Sequence, residues 1–206
     1  MDKPKLALKL KAQVSNLSSL PPESIPNTPQ ITIKSTLEPP VSNNVTFYPQ
    51  VLTADESHNL YDYLKHKMPW KDGIRSRCGP TRQAIPVSLD DDDLIKWAVM
   101  EVFKRINLGN FVIFGLYLNY YRDGNDYTPE HRHKDTTQLV ISLCEPDGDR
   151  QLTVNSSTYM MGNGDIIIFD DQKHGIPKMS NRKGRISLAT FMKYAPELHG
   201  SVAYVG

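Results

Sequence analysis

The sequence predicts an α+β fold in which two helices precede and back an antiparallel β-sandwich or barrel. Two stretches between residues 53 and 106 carry helix-start signals followed by apolar residues at helical spacing. After Asn107 the pattern turns to short β-rich runs separated by turn clusters. Helices first and strands afterwards is the order of an α+β protein, in which a sheet closes on its own core and helices cover one side.

Residues 1–44 hold little aromatic residue and much Ser, Thr, Pro and Asn, as in "SNLSSLPPESIPNTPQ" and "STLEPPVSNN". Such a stretch buries too little apolar surface to offset its ordering entropy, so a disordered tail is expected. Within it "LALKLKAQV" allows a short helix whose lysines could meet a partner. The folded domain is expected over 45–206, from "VTFYPQVL" onward. "TADE" at Thr53–Glu56 reads as a capping box, with Thr at the N-cap and Glu three residues later. The helix behind it carries Leu60, Tyr61, Leu64 and Met68 on one side. "MPWKDGI" ends that helix and opens an extended segment; "RSRCGPTRQAIPV" is basic and broken by Gly and Pro, hence a loop or irregular strand. "SLDDDDLIKWAVMEVFKRI" is the second helix. Its aspartates fall at the N-terminus, where the helix dipole favours negative charge, so the acidic run is structural. The strands are "FVIFGLYLNYY", "QLVISL", "QLTV", "DIIIF" and "RISLATF", set apart by "RDGND", "PDGD" and "GNGD"; no internal repeat is present.

Composition narrows the function. A formal net charge of +1 gives no global basic field for nucleic acid, although a local patch remains open. Two cysteines, Cys78 and Cys144, make neither a disulfide framework nor a zinc ribbon and suit a reducing compartment. No apolar run reaches the roughly 20 residues of a membrane span, and the first residues lack a signal-peptide core. The expectation is a soluble, intracellular monomer of cytoplasm or nucleus.

The chemistry concentrates in "YYRDGNDYTPEHRHKDTTQLVISL". His131, His133 and Asp135 place three potential metal ligands in five residues, just before an apolar strand. His174 lies about 40 residues on, after a strand ending at Phe169, and Arg185 comes 11 residues later at the start of another strand. Two strand ends can thus bring ligands to a barrel mouth beside an arginine. Two histidines and a carboxylate on one face, with open positions, suit non-haem iron(II) that must also hold a cosubstrate and oxygen. A dicarboxylate cosubstrate calls for a bidentate cation, and arginine is the best fork. His58, His66 and His199 read as ordinary surface or hydrogen-bonded histidines.

These residues resemble the AlkB branch of the iron(II)- and 2-oxoglutarate-dependent dioxygenases. That family's pattern is Asn-x-Tyr-x-Asp-Gly-x-Asp, four residues, His-x-Asp, then a distal His and an Arg. Here Asn119, Tyr121, Asp123, Gly124 and Asp126 match in order, and His131 follows after the four-residue gap. "HGIPK" is similar to the distal-histidine stretch, "RISLATF" to the arginine strand, and "MPWKD" with "PTRQA" to the part that helps form a lid over the nucleobase. The resemblance spans about residues 46 to 194 and implies a double-stranded β-helix, or jelly-roll, barrel. It implies iron(II), 2-oxoglutarate and O2 as cofactor and cosubstrates, with Asn119, Tyr121, Arg185 and Ser187 on the 2-oxoglutarate. It also implies oxidative demethylation of alkylated bases in single-stranded DNA or RNA. Arg75, Arg77, Arg82 and Gln83 are then the candidate contacts to nucleic acid. Two positions depart from the pattern: His133 stands where the family has aspartate, and Met192 with Lys193 where it has a second arginine.

The ligand set stays open between two pairs. His131 and Asp135 would be roughly 13 Å apart on an extended strand, so they cannot share a metal unless the chain bends. His131 with His133 keeps the gap after Asp126 and, with His174, gives three neutral histidines, a set that also suits zinc. His133 with Asp135 keeps a carboxylate but needs two extra residues in the preceding turn. The first pair is favoured. Two further functions remain beside nucleic-acid dealkylation: hydroxylation or demethylation of a protein side chain, and a metal- or nucleic-acid-binding barrel without turnover.

Overall fold

The computed structural model describes residues 45–205 except 73, 74, 77, 78, 181 and 182. The expected tail and Arg77 therefore lie outside the described residues.

The chain enters on strand β1 (Thr46–Tyr48) and passes into helix α1 (Ala54–Lys67). The Thr53 side chain accepts from the Glu56 backbone N–H and the Glu56 carboxylate accepts from Thr53 N–H, which completes the capping box. Leu60, Tyr61 and Leu64 are buried from one side of α1. Helix α2 (Asp93–Arg105) starts at Asp92, whose carboxylate accepts from the N–H groups of Leu94 and Ile95. The acidic run is thus a cap.

Between the helices lie a two-residue ribbon, β2 (Arg75–Ser76) with β3 (Gly79–Pro80), and β4 (Gln83–Val87). β4 is a regular strand where the sequence suggested an irregular segment. Among the named strands it pairs with β5, and at its start Gln83 bridges to Asp72, so Pro86 lies beyond that bridge on an edge, where a missing N–H is tolerated.

The remaining strands are β5 (Phe111–Tyr121), β6 (Thr128–His131), β7 (Thr137–Cys144), β8 (Arg150–Val154), β9 (Ser157–Met161), β10 (Ile166–Phe169), β11 (His174–Ile176), β12 (Arg185–Tyr194) and β13 (Val202–Tyr204). They form two sheets. The larger runs β1-β10-β7-β12-β5-β13, with β4 also on β5; the smaller runs β6-β11-β8-β9. All pairings are antiparallel except β13 on β5. This is a jelly roll, the double-stranded β-helix, backed by two helices.

Side-chain alternation divides the larger sheet into two faces. Ile186, Leu188 and Met192 of β12, with Leu139, Ile141 and Leu143 of β7, pack with the buried faces of both helices. Ala189, Val140, Ile167 and Phe169 face the other way, against Leu152, Val154 and Ile176 of the smaller sheet. Strand β5 changes phase: Phe111 and Ile113 face the helices, and so do Leu116 and Leu118. A register shift opposite Phe191/Met192 leaves Phe114 as an extra residue in β5. Because of that bulge, Asn119 and Tyr121 arrive on the inner face beside Ser187 and Arg185 of β12.

Candidate metal and dicarboxylate site

His131 ends β6 and His174 starts β11, and the two are paired across the ladder. His133 follows two residues after β6. Ligand atoms of the three imidazoles all lie within 4.8 Å of one another. Ring centroids are 4.8 Å apart for His131–His133, 4.3 Å for His131–His174 and 5.5 Å for His133–His174. Each strand ring has its Nδ1 fixed by a neighbouring carbonyl: His131 on Pro129 O and His174 on Gln172 O, both at 2.9 Å. Donation from Nδ1–H leaves Nε2 with its lone pair free, the tautomer a metal needs. His133 is held by packing, with its ring edge-on to Phe191 at 5.0 Å.

Burial pushes His174 down to about 4 and, with His131 adding a smaller effect, lowers His133 as well. Both rings are therefore neutral at neutral pH and ready to ligate. Gln138, buried on β7, places its side-chain nitrogen 3.5 Å from His174 Nε2.

Asp135 is not part of this group. It is exposed, in a turn, at φ 52°. The chain bends at Lys134–Asp135 to bring Thr137 into β7, and the bend turns the carboxylate outward.

The inner face of β12 carries Arg185, Ser187, Ala189 and Phe191 in succession, and the facing residues of β7 are Cys144, Ser142, Val140 and Gln138. Phe191 and Gln138 mark the histidine end. Ser142 marks the other end, about 13 Å away along the strand. There Arg185, 1% exposed, donates from Nε to Ser142 Oγ at 2.9 Å. Its two terminal nitrogens have no hydrogen-bond partner among the described residues. Burial lowers the guanidinium pKa, yet arginine stays charged. An unpaired fork on a buried cation is costly unless an anion completes it. The small residues Ser187 and Ala189 keep β12 low between the fork and the histidines. Three imidazole nitrogen donors and a buried fork therefore fit a divalent metal and a carboxylate-bearing ligand bound together.

The Tyr121 ring lies 5.7 Å from the Arg185 guanidinium, and its hydroxyl is 2.7 Å from Thr128 Oγ1. Asn119 is buried and pairs in register with Ser187. The residues expected to contact nucleic acid lie beside this face, at the start of β4 and on the ribbon before it. Arg82 donates from Nε to Asn119 Oδ1 at 2.7 Å, which ties it to the pocket wall. Gln83 pairs with Tyr120 in β4, and Arg75 lies in the β2 ribbon. Ser142 and Gln138 on β7, which touch Arg185 and His174, went unread in the sequence, as did the burial of Arg150 on β8. Each stands in step with inward residues of its own strand, a facing that only the fold shows.

No protein-family model and no curated protein matches this sequence. Solved structures do. A Trichoplax adhaerens prolyl hydroxylase, in complex with a hypoxia inducible factor peptide fragment, aligns at TM-score 0.57 and 13% identity over 76% of this chain and 86% of its own. SnoN, a non-heme alpha-ketoglutarate-dependent epimerase from nogalamycin biosynthesis, aligns at 0.55 and 15% over 74% and 80%. The viral collagen prolyl hydroxylase of Paramecium Bursaria Chlorella virus-1, in its 2OG complex, aligns at 0.51 and 12% over 72% and 96%. The chain has the fold of these oxygenases.

Proposed function

We propose that this protein is an iron(II)- and 2-oxoglutarate-dependent oxygenase that removes N-methyl groups from bases in single-stranded DNA or RNA. The observation that carries the oxygenase reading is Arg185, a buried guanidinium with two terminal nitrogens unpaired among the described residues, on the same inner sheet face whose other end, at Phe191 and Gln138, meets the three imidazoles. His131, His133 and His174 would hold the metal, and Arg185 the far carboxylate of the cosubstrate. Ser142 fixes the plane of the fork through Nε, while Asn119, Tyr121 and Ser187 line the space beside it. When bound, iron with 2-oxoglutarate supplies oxidative power: O2 is consumed, the oxo acid leaves as succinate and CO2, and a substrate C–H bond becomes C–OH. On an N-methyl group the product is N–CH2OH, whose C–N bond breaks to give formaldehyde and the repaired N–H. The barrel wall of Val140, Ile167 and Ala189 excludes water around the reacting centre.

Two observations favour a flat base. The Asn119–His131 block resembles the AlkB branch. Tyr117, 45% exposed, stands edge-on to Phe191, and Phe191 edge-on to His133, an aromatic path from the surface to the histidines. Single strands are the easier substrate because no base must be flipped from a duplex. The prolyl hydroxylases among the structural neighbours favour a second reading, hydroxylation of a protein side chain. The test is anaerobic loading with iron(II), admission of air, and assay of succinate and formaldehyde with methylated single-stranded oligonucleotides. Formaldehyde in step with succinate supports dealkylation, and succinate without it directs the search to peptides. No succinate despite confirmed iron occupancy removes both readings.

A further inference from the structure

Arg150 is the second fully buried arginine, 0% exposed on β8. It donates from one terminal nitrogen to Asp123 O at 2.8 Å and from the other to Asp126 O and to Pro177 O at 3.3 Å; its Nε has no partner among the described residues. Those acceptors are backbone carbonyls, which satisfy N–H groups without cancelling a charge. The Asp126 carboxylate is engaged elsewhere, in a two-point bond with Arg122. Arg150 also lies 5.4 Å from the Tyr121 ring centroid, and Arg185 lies 5.7 Å from the same centroid. The barrel floor thus holds two like charges around one ring. Burial, and after it the neighbouring Arg185, lower the Arg150 pKa, against smaller opposing effects of Tyr121 and of the Asp126 and Asp123 carboxylates.

Concentrating two cations in a dry interior destabilises the fold unless a ligand uses the field. We propose that Arg150 is a specificity-determining cation of the cosubstrate pocket. Acting across the Tyr121 ring, its charge adds to that of Arg185 and makes the pocket select a dicarboxylate over a monocarboxylate. The proposal rests on the 2-oxoglutarate reading of the site. The two distances to the Tyr121 centroid put the guanidiniums no more than about 11 Å apart, and a unit charge at that range, through protein of effective dielectric about 20, shifts the affinity of an anion seated on Arg185 by on the order of tenfold. A dianion therefore loses about tenfold more than a monoanion when the charge is removed.

The competing role is a staple: Arg150 joins the turn before β6 to the segment after β11, and so steadies both histidine strands. Two variants separate the roles. Arg150→Lys keeps the charge and loses the fork. Arg150→Gln keeps amide donors and loses the charge, with Arg150→Met as the neutral variant if the glutamine form does not fold. Titration calorimetry on Mn(II)-loaded wild type and variants measures 2-oxoglutarate and 2-oxopentanoate. The expected result is a 2-oxoglutarate preference kept in the lysine variant and reduced about tenfold in the neutral one. A neutral variant that is folded, binds Mn(II) and keeps the wild-type preference overturns the proposal. So does equal loss of preference in the lysine and neutral variants. Wild type that binds Mn(II) but no 2-oxoglutarate overturns the oxygenase reading as well, so the two failures are distinguishable.

Discussion

Replacing Arg185 with methionine should make the ligand-free protein more stable and remove its response to 2-oxoglutarate. Both terminal nitrogens of Arg185 are buried and unpaired among the described residues. Each unsatisfied group costs about 1–3 kcal/mol. The bond from Nε to Ser142 Oγ, made at 2.9 Å, returns about 1.5–3 kcal/mol as a charged hydrogen bond. An apolar side chain of similar length keeps the packing against Tyr121 and removes both terms. The net gain is about 1–3 kcal/mol, in line with replacement of buried charges by hydrophobic residues. For a domain of this size that raises Tm by roughly 2–12 °C. The assay is thermal denaturation of metal-free protein followed by circular dichroism, then the same with Mn(II) and 2-oxoglutarate. At 2-oxoglutarate about 100 times its Kd, the wild type should gain about 2.7 kcal/mol and the variant nothing from the oxo acid. A variant less stable than wild type without ligand would refute the claim that Arg185 is strained by lack of a partner. A variant still stabilised by 2-oxoglutarate would refute its role as the carboxylate fork.

Alanine at His131 or His174 should abolish tight Mn(II) binding in calorimetry, whereas Asp135→Ala should leave it unchanged, since Asp135 stands exposed outside the imidazole group. Glu56 is held down at about 2, chiefly by its side-chain hydrogen bond with Arg105. Its stabilisation is present above the unfolded value of about 4.5 and is lost as pH falls through about 2. Urea denaturation should therefore show Glu56→Gln less stable than wild type at pH 7 and the gap closing between pH 4.5 and 2. Gly164 has φ 87°, and a Cβ there would meet Leu52 O at 2.3 Å. Gly164→Ala should cost about 1–3 kcal/mol or more, measurable as a lower urea midpoint at unchanged slope.

The helices were legible because their signals are local. Thr53 with Glu56, and Asp92 before an apolar stripe, announce themselves within one turn of chain. Strands β5, β7, β8, β10 and β12 were legible by composition, being rich in β-branched and aromatic residues. β6 and β11 were not: each has only three or four residues and contains Pro, Gly or His, and the two strands are defined by pairing with each other. β4 was obscured by Pro86, which only an edge position permits. At the site, the spacing of His131 and His133 and the distance to His174 pointed to a metal group. The ambiguity over Asp135 arose because an extended chain was assumed through Lys134, where the structure turns. Arg150, Ser142 and Gln138 stayed hidden because facing is a tertiary property. A strand sequence gives its period but not which phase looks inward, and on β5 a bulge at Phe114 reverses the phase midway.

The alternation along β12 also bears on how the protein can evolve. Even-numbered residues from Ile186 to Met192 hold the helices, and odd-numbered residues from Arg185 to Phe191 furnish the pocket. Substitutions at Arg185 and Ser187 act first on the ligand end, those at Ile186, Leu188 and Met192 on the helix-packed core, and Ala189 and Phe191 belong to the core between the sheets as well. A single inserted or deleted residue would exchange the two sets beyond it unless a bulge absorbed the change, as one does at Phe114 in β5. Lineages can therefore explore new substrates through β12 by point changes alone, and a saturation scan of this strand should show tolerance oscillating with a period of two, in opposite phase for folding and for turnover.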